Sequence, residues 1–414
     1  MAYDVAAVRA QFPALRAGIA HFDGPGGSQV PEPVARAVAA TLTSPIANRG
    51  RVTAAERLAD DTVLGARSAL AELLGVDARG VVFGRSATQL TFDLARTLAG
   101  SWGPGDEVVV TRLDHDANIR PWVLAAVTAG AMVRWVPFDP VTGEVTADDV
   151  AAELSGRTRL VAVTGASNLI GTRPPVAEIA ALVHGAGALL AVDGVHLTAH
   201  APVDVPALGA DFYTCSPYKF LGPHCGVLAA DPALLETLVP TKLLPSSDDV
   251  PERFELGTLP YELLAGTTAA VDFLAGLSPT PAGSRRERLL AAIGAIETYE
   301  DELRGYLEAG LAALPGVRVR SRAARRTPTL LLTLDGRDAA DAHRFLAERG
   351  VNAPAGSFYA LEASRWLGLG DAGGLRVGLA PYTDRDDVDR LLTGLREFLA
   401  SPVRGARPTR PPER

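Results

Sequence analysis

Residues 214–225 (TCSPYKFLGPHC) contain both cysteines of the 414-residue chain and, between them, Lys219. A lysine held between apolar strands loses hydration, which lowers its pKa and makes the amine a nucleophile suited to Schiff-base chemistry. The alternative is a lysine whose stem is buried while its ammonium group reaches solvent. Cys215 and Cys225 flank this lysine and are most simply small core residues.

Three further sets of side chains that could take part in binding or catalysis lie at or just after the ends of predicted strands. Ser86 and Thr88 come after VVF, at the start of a predicted helix whose free N–H groups would suit a phosphate. His115 follows EVVVT, and Asp193 ends ALLAVD, where a buried carboxylate needs a cationic partner. Taken singly, the hydroxyls and Asp193 could be helix N-caps, and His115 could lie in a surface loop. A phosphate-binding turn, an imidazole, an acid and an amine at the ends of neighbouring strands indicate a functional site more specifically than any one of them alone.

A zinc site formed by Cys215, Cys225, His224 and His196 is a further alternative. The C-x9-C spacing fits no common zinc pattern, and ligands that bracket a strand turn give poor tetrahedral geometry. We therefore predict no metal site.

The elements that must position these groups form a mostly parallel sheet. From Val81 onwards, short runs that are apolar on both faces alternate with helical stretches, which is typical of a sheet covered on both sides. The predicted strands are VVF, EVVVT, MVRWVP, TRLVAVTG, ALLAVDG, DFYTCS and GVLAA. The last two are too close for a crossover helix, so we predict a hairpin-like reversal at the edge of the sheet. Ligands of open α/β sheets bind beyond the carboxyl ends of the strands, where the polar groups lie.

The order of elements divides the chain into four parts. After about residue 262, a long charged helix, two strands, a helix, a strand and a last helix predict a small α+β domain. We expect residues 31–261 to form the large domain, residues 262–400 the small one, and residues 1–30 to pack on the small domain. The Pro- and Arg-rich residues 401–414 are predicted to be disordered.

The composition limits the possible binding partners of the protein and its cellular compartment. The net charge of −8 argues against a nucleic-acid or anionic-membrane partner. Two cysteines cannot form a disulfide framework and fit a reducing compartment. No run has the layout of a signal peptide or the roughly 20 apolar residues of a membrane span. We predict a cytoplasmic globular protein.

The segment VDGVHLTAHAPVDVPALGADFYTCSPYKFLGPHCGVL resembles the core motif of the pyridoxal-phosphate (PLP) enzymes of aminotransferase class V, the group that contains the cysteine desulfurases. The resemblance continues through DHDANIRPW, ASNLIGTRPPV, RFELGT and LRVGLAPYTDRDDVDRLL, from about residue 20 to residue 400. It implies the PLP-dependent transferase fold type I, with a large domain on a mostly parallel sheet and a small C-terminal α+β domain. It also implies a homodimer with shared active sites.

The resemblance implies PLP as the cofactor and a role for each matching residue. Lys219 would hold PLP and move the substrate's α-proton, Asp193 would pair with the pyridine nitrogen, and His115 would stack on the ring. The remaining cofactor contacts would be His196 and Asn168 near the phenolic oxygen, Ala87, Thr88 and Ser216 at the phosphate, and Thr258 at the phosphate of the neighbouring subunit.

The substrate is implied to be a small α-amino acid. Arg376 matches the arginine that grips a substrate carboxylate, and its planar fork suits that task. Asn48 and Arg49, from IANRGR, are also expected to face the substrate. Tyr218 stands where the family commonly has histidine directly before the lysine. Tyrosine can still donate one hydrogen bond, so we expect the cofactor site to be intact.

The sequence departs from an ordinary desulfurase in a small-domain loop. A cysteine desulfurase carries its persulfide on a mobile-loop cysteine between the last strands of that domain. Here the region reads VNAPAGSFYALEASRWLGLGD, with Phe358 and Tyr359 as an expected lid and no cysteine. We therefore predict cysteine desulfurase-like C–S cleavage of the β-elimination (C–S lyase) type, which needs proton removal by Lys219 but no protein thiol.

Other reactions and another class of function stay open at this point. An aminotransferase or an amino-acid racemase or epimerase would use the same lysine and cofactor. A PLP-fold protein that has lost catalysis and serves as a binding partner is also conceivable. The joint presence of Lys219, Asp193, His115 and Arg376 argues against that last alternative.

Overall fold

A computed structural model of the chain describes residues 3–280 and 282–402. The strands in these residues are β1 (Ala20–His21), β2 (Val81–Gly84), β3 (Glu107–Thr111), β4 (Met132–Val136), β5 (Thr158–Thr164), β6 (Leu189–Asp193), β7 (Phe212–Cys215), β8 (Gly226–Ala230), β9 (Val317–Val319), β10 (Thr329–Leu334), β11 (Val351–Asn352), β12 (Ala355–Gly356) and β13 (Gly374–Gly378). The helices are α1 (Val5–Arg9), α2 (Glu32–Leu42), α3 (Ala54–Leu74), α4 (Ala87–Ala99), α5 (Arg120–Ala129), α6 (Ala147–Ala151), α7 (Val176–Gly185), α8 (Val205–Leu208), α9 (Pro232–Glu236), α10 (Tyr261–Gly276), α11 (Arg285–Ala312), α12 (Ala339–Ala347), α13 (Leu361–Trp366) and α14 (Arg385–Ala400).

The larger sheet has seven strands in the order β2-β8-β7-β6-β5-β3-β4. Strands β3 to β7 pair in parallel, which confirms the mostly parallel sheet. The reversal between β7 and β8 is antiparallel, as predicted, but its position at the sheet edge was wrong. Strand β8 also pairs with β2, which therefore forms the edge. The closeness of β7 and β8 in the chain determines their pairing, but it carries no information about the distant strand on the other side of β8.

Both faces of this sheet are covered, and successive residues of a strand point into different cores. On β3, Val109 joins the core formed with α3 and α7, whereas Val108 and Val110 join the core formed with α4 and α5. On β5, Val161 joins the first of these cores, and the residues on either side of it join the second. The strands are apolar throughout because water reaches neither face.

The smaller sheet is antiparallel, with the order β12-β13-β10-β9. Helix α11 connects the two cores, since Leu289 and Ile293 pack into the large-sheet core while Leu303 and Leu307 pack into the small one. Strand β1 pairs in parallel with β11, so the N-terminal segment contacts the part of the chain that carries the small sheet. The cleft between the two sheets is where the candidate site lies.

Of the tail predicted to be disordered, residues 403–414 lie outside the described residues. None of the helices in the described part combines the length and apolar character needed to cross a membrane.

Candidate active site

A cavity of about 670 Å³ opens at the carboxyl ends of the parallel strands, facing the small sheet. Of the twelve residues expected to contact cofactor or substrate, nine line it: Lys219, Asp193, His196, His115, Asn168, Ala87, Thr88, Ser216 and Arg376. All but Arg376 come from the segments that follow β2, β3, β5, β6 and β7, including the start of helix α4, or from the last residue of such a strand. Arg376 comes from β13 of the small sheet and faces them across the cleft.

Lys219 ends a single helical turn, Pro217–Lys219, directly after β7. Its ammonium donates a hydrogen bond to the carbonyl of Pro25 and lies 4.9 Å from the ring centre of Tyr218. Burial, assisted by the charge of Arg376, lowers the pKa of Lys219 to about 7, against a smaller opposing effect of Asp193. A substantial fraction of this amine is therefore unprotonated at neutral pH and available as a nucleophile or base.

Asp193 is the last residue of β6 and is 8% exposed. Its Oδ1 accepts a hydrogen bond from the backbone N–H of Val195 at 2.9 Å. Burial raises its pKa to about 6, against the effects of that hydrogen bond and of Lys219. Burial disfavours the charged form of Asp193 because it removes the hydration of the carboxylate. A cation bound in the cavity would stabilise that charged form.

His115 lies in the loop after β3, and its imidazole is held in one orientation. Its Nδ1 accepts a hydrogen bond from the backbone N–H of Ala117 at 3.0 Å, which places the proton of the neutral ring on Nε2. Burial, with a contribution from Lys219, lowers the pKa of His115 to about 4, so the ring is neutral. Tyr359 stacks against it, with ring centres 5.5 Å apart.

His196 and Asn168 present polar atoms that lack partners. The Nε2 of His196 lies 2.9 Å from the hydroxyl of Thr327 and 3.0 Å from that of Thr329. Its Nδ1 and the Oδ1 of Asn168 are buried and have no hydrogen-bond partner among the described residues. Burying such atoms unpaired is costly, so their position in the cavity wall indicates a polar ligand.

The part of the cavity wall formed by the start of α4 is suited to an anion. Helix α4 begins there with Ala87 and Thr88, whose backbone N–H groups belong to the first helical turn. The hydroxyl of Ser86 caps this helix by accepting from Gln89 N–H, so the plainer interpretation of Ser86 as an N-cap holds. Buried Ser216 lines the cavity nearby.

Arg376 is 3% exposed, and part of its guanidinium lacks hydrogen-bond partners within the described residues. Nη1 donates to the carbonyl of Asn168 at 3.1 Å, and the ring of Phe358 covers one face at 3.7 Å. Among the described residues, Nε and Nη2 have no acceptor. These two N–H groups point the same way and match the two oxygens of a carboxylate.

Three predicted site residues do not line the cavity. Thr258 and Asn48 are exposed. The guanidinium of Arg49 lies 2.8 Å from Asp60 and 3.0 Å from Glu252, so it belongs to a network of ion pairs. Their roles toward cofactor and substrate stay predictions.

Sequence reasoning missed the loop that contains Pro25 and Gly26, which also lines the cavity. A Cβ on Gly26 would lie 3.3 Å from Nη2 of Arg376, and one on Gly27 would lie 3.3 Å from the ring of Tyr218. The run GPGG was the available signal, because dense glycines often mark a close approach of the backbone to another group.

Both cysteines are buried and unpaired. Burial raises the pKa of the Cys215 thiol and raises that of Cys225 to about 11, which makes both poor nucleophiles. In the described parts of the chain, no three His, Cys, Asp or Glu side chains are grouped so as to hold a metal ion. The cavity therefore contains an amine, an acid and an imidazole, but no thiol from these two cysteines.

Comparison with known proteins agrees with this geometry. The sequence model of the family aminotransferase class-V matches residues 20–391. The uncharacterized protein MT3887 of Mycobacterium tuberculosis (strain CDC 1551 / Oshkosh) is 34% identical over 397 residues, which cover 95% of this chain and 99% of that protein. A cysteine desulfurase of Enterobacter sp. (strain 638) is 33% identical over 337 residues, 76% of this chain and 79% of that protein. The crystal structure of the cysteine desulfurase CsdA from Escherichia coli has a TM-score of 0.85 and 28% identity, and the match covers 96% of this chain and 99% of that one.

Proposed function

The chain belongs to the aminotransferase class-V family and is a PLP-dependent enzyme of cysteine desulfurase-like type, and from this premise we propose that it cleaves the C–S bond of a small α-amino acid by β-elimination. For a cysteine-type substrate, the reaction consumes water and releases pyruvate, ammonium and a thiol or sulfide. The substituent leaves directly, without transfer to a thiol of the enzyme.

The observation that carries this proposal is that the small-domain loop has Phe358 and Tyr359 and no cysteine. The loop between β12 and α13 places Phe358 and Tyr359 at the cavity. Cys215 and Cys225 are fully or almost fully buried in the large-sheet region. A persulfide needs an accessible thiolate, which neither cysteine provides.

The residues that line the cavity fit PLP. The unpartnered Nδ1 of His196 and Oδ1 of Asn168 suit the polar substituents of a pyridine ring, and Asp193 suits its protonated nitrogen. The first turn of α4, with Ser216, would hold the phosphate. When bound, PLP acts as an electron sink for the α-carbon of an amino acid.

The protein's own groups then position the substrate and move protons. Arg376, whose Nε has no acceptor among the described residues, binds the carboxylate, and the Lys219 amine accepts the α-proton. Phe358 and Tyr359 limit the access of water. Neutral His115 can lie against the cofactor ring without adding a positive charge.

The proposal is tested by incubating the PLP-loaded protein with cysteine and a series of S-substituted cysteines. Pyruvate and an equal amount of sulfide or thiol should form with at least one of them. Absence of both products with every substrate would contradict the proposal. Formation of a new amino acid from added keto acid, or solvent deuterium at an inverted α-carbon, would assign the site to the transferase or epimerase alternative instead.

Arg376→Lys should raise KM for the amino acid about 10- to 100-fold with a smaller change in kcat, because charged hydrogen bonds contribute about 1.5–3 kcal/mol. Lysine keeps the charge but loses the two parallel donors. Steady-state kinetics measure the effect, with Arg322→Lys as a control, since Arg322 is exposed on the small domain. Equal KM values for the wild-type protein and Arg376→Lys would rule out the carboxylate contact.

The proposed enzyme is a homodimer in which Thr258 reaches the phosphate of the neighbouring site. Large apolar side chains are exposed in the segments near Asn48 and Thr258, namely Leu42, Val52, Val239, Leu243, Leu244 and Leu256. Exposed apolar side chains are typical of an interface between proteins where they form one patch.

Sedimentation equilibrium should accordingly give twice the mass of one chain. Leu244→Glu should shift the protein toward the monomer, whereas Val141→Glu, at another exposed apolar residue, should not. A wild-type protein with the mass of a single chain would refute the dimer.

A further inference from the structure

Two buried ionisable side chains that do not line the cavity, His200 and Glu300, contact each other and are here called the buried pair. His200 follows β6 in the large domain, and Glu300 lies on α11, 100 residues further along the chain. Nδ1 of His200 and Oε2 of Glu300 are 2.8 Å apart, and the two side chains are 5% and 1% exposed. A carboxyl group at such depth needs a polar partner. Within the described residues, His200 supplies the only hydrogen bond to it.

The buried pair reaches the cavity through the ring of His196. This ring lines the cavity and packs edge-to-face against His200, with ring centres 4.8 Å apart and an angle of 67° between the planes. Its Nε2 lies 2.9 Å from the hydroxyl of Thr327 and 3.0 Å from that of Thr329. The side-chain χ2 torsion of a histidine has broad energy minima, so the plane of its ring is set by neighbours. Here a second ring on one side and two hydroxyls on the other fix that plane.

The groups that fix His196 come from elements that join the two domains. Glu300 lies on α11 between Ile296, which packs into the large-sheet core, and Leu303, which packs into the small one. Thr329 is the first residue of β10 in the small sheet. A residue of the large-domain cavity wall is therefore oriented by the connecting helix and by the small sheet.

Burial and charge act together on the three side chains. Burial raises the pKa of Glu300, and the neighbouring His200 opposes that effect. Burial lowers the pKa of His196, and His200, Lys219 and Arg376 lower it further, so this ring is neutral near pH 7. The other ionisable groups that face Glu300 are Tyr3 of the N-terminal segment, Glu297, Tyr299 and Asp301 of α11, and Tyr382 after β13. A neutral imidazole keeps one donor and one acceptor, so its value to a ligand depends on its orientation.

We propose that His200 and Glu300 are positioning residues for the cofactor site, which act by holding the ring of His196 in one orientation in the cavity wall. The inference rests on the proposed fit of His196 to PLP. It assigns a role to a buried imidazole and a buried carboxyl group that the proposed reaction does not use. It also makes α11 a functional support of the site, although no residue of that helix lines the cavity.

The visible spectrum of the PLP-loaded protein, recorded against pH without substrate, tests the proposal. Glu300→Gln and His200→Gln should each shift the pH midpoint of the spectral change in the same direction as His196→Asn. A shift of about 0.5–1 pH unit is expected, which is the size that corresponds to one hydrogen bond. Glu300→Gln keeps the shape of the side chain and leaves no buried carboxylate unpaired, so the fold should be retained.

Glu297→Gln is the matched control, since Glu297 lies one turn earlier on α11 but pairs with Arg173 at 2.5 Å. Its midpoint should equal that of the wild-type protein. Equal midpoints in the wild-type protein, Glu300→Gln and His200→Gln would overturn the proposal. An unshifted midpoint in His196→Asn would refute the contact of His196 with PLP, and the proposal with it.

Combined variants separate positioning through His196 from a purely structural role of the buried pair. Glu300→Gln should add no further shift in the His196→Asn protein, because residues that act through one another are not additive. A shift as large as in the wild-type background would show that the pair acts elsewhere in the fold, which would overturn the proposal. These spectra require no C–S cleavage, so a failed lyase test with the predicted shifts would refute the reaction alone.

Discussion

Replacement of Lys219 by alanine is expected to lower kcat by at least about 10⁴-fold and to remove the visible absorbance of covalently bound PLP. The amine is buried beside Asp193 and Arg376, with its pKa lowered to about 7, and no other lysine lines the cavity within the described residues. Reduction of the loaded protein with borohydride, followed by peptide mapping, should place the cofactor on Lys219.

The chain offers a clean control, because it contains only one other lysine, Lys242. The Lys242 ammonium contacts the carbonyl of Ser246 at 2.9 Å and Asp248 at 3.0 Å, away from the cavity. Lys242→Ala should keep both the colour and the activity. Label on Lys242, or a coloured and active Lys219→Ala protein, would contradict the assignment of the amine.

Replacement of Asp193 by asparagine is expected to lower kcat about 10²- to 10³-fold, since loss of one partner from a buried ion pair costs about 3–5 kcal/mol. Asparagine has the same shape but no charge, so the pyridine nitrogen would lose the group that keeps it protonated. Lys219 is unchanged in this variant, so the cofactor should stay attached while its spectrum shifts. Kinetics and absorbance of the same sample measure both effects.

Asp106→Asn is the matched control for this prediction. Asp106 lies just before β3, at the opposite end of the parallel strands, and pairs with Arg159 at 2.7 Å. Its pKa is lowered, with the hydrogen bond from Arg159 as the main cause, so it is a charged carboxylate that should not affect the site. If Asp193→Asn and Asp106→Asn give the same kcat, Asp193 does not act on the cofactor.

Much of the candidate site could be predicted because many of its residues lie at or just after the ends of strands. Asp193 and His115 were placed by recognising apolar, β-branched runs as parallel strands, and such strands end at a common edge of the sheet. The antiparallel turn between β7 and β8 could be predicted for a similar local reason, since the two strands are close in the chain. The family resemblance added Arg376, whose strand lies in the other sheet.

Contacts between remote segments could not be predicted. Strand β2 pairs with β8 although about 140 residues separate them in the chain, and nothing local in either strand encodes that choice. The Pro25 carbonyl meets the amine of Lys219 across a separation of 194 residues. Arg49 lies beside Asp60 and Glu252, and its contact with Glu252, across a separation of 203 residues, depends on how remote segments pack.

The sequence by itself therefore determined the types of chemical group and the strands that carry them, because local patterns of apolar residues specify strands and their ends. It also determined that the small-domain loop carries Phe358 and Tyr359 instead of a cysteine. The tertiary structure alone decided how those groups face one another. The unpaired Nε of Arg376, the lowered pKa of Lys219 and the contacts of Arg112 with Trp135 and Trp366 arise from burial and contact between segments far apart in the chain. Such contacts leave no periodic signal in the sequence.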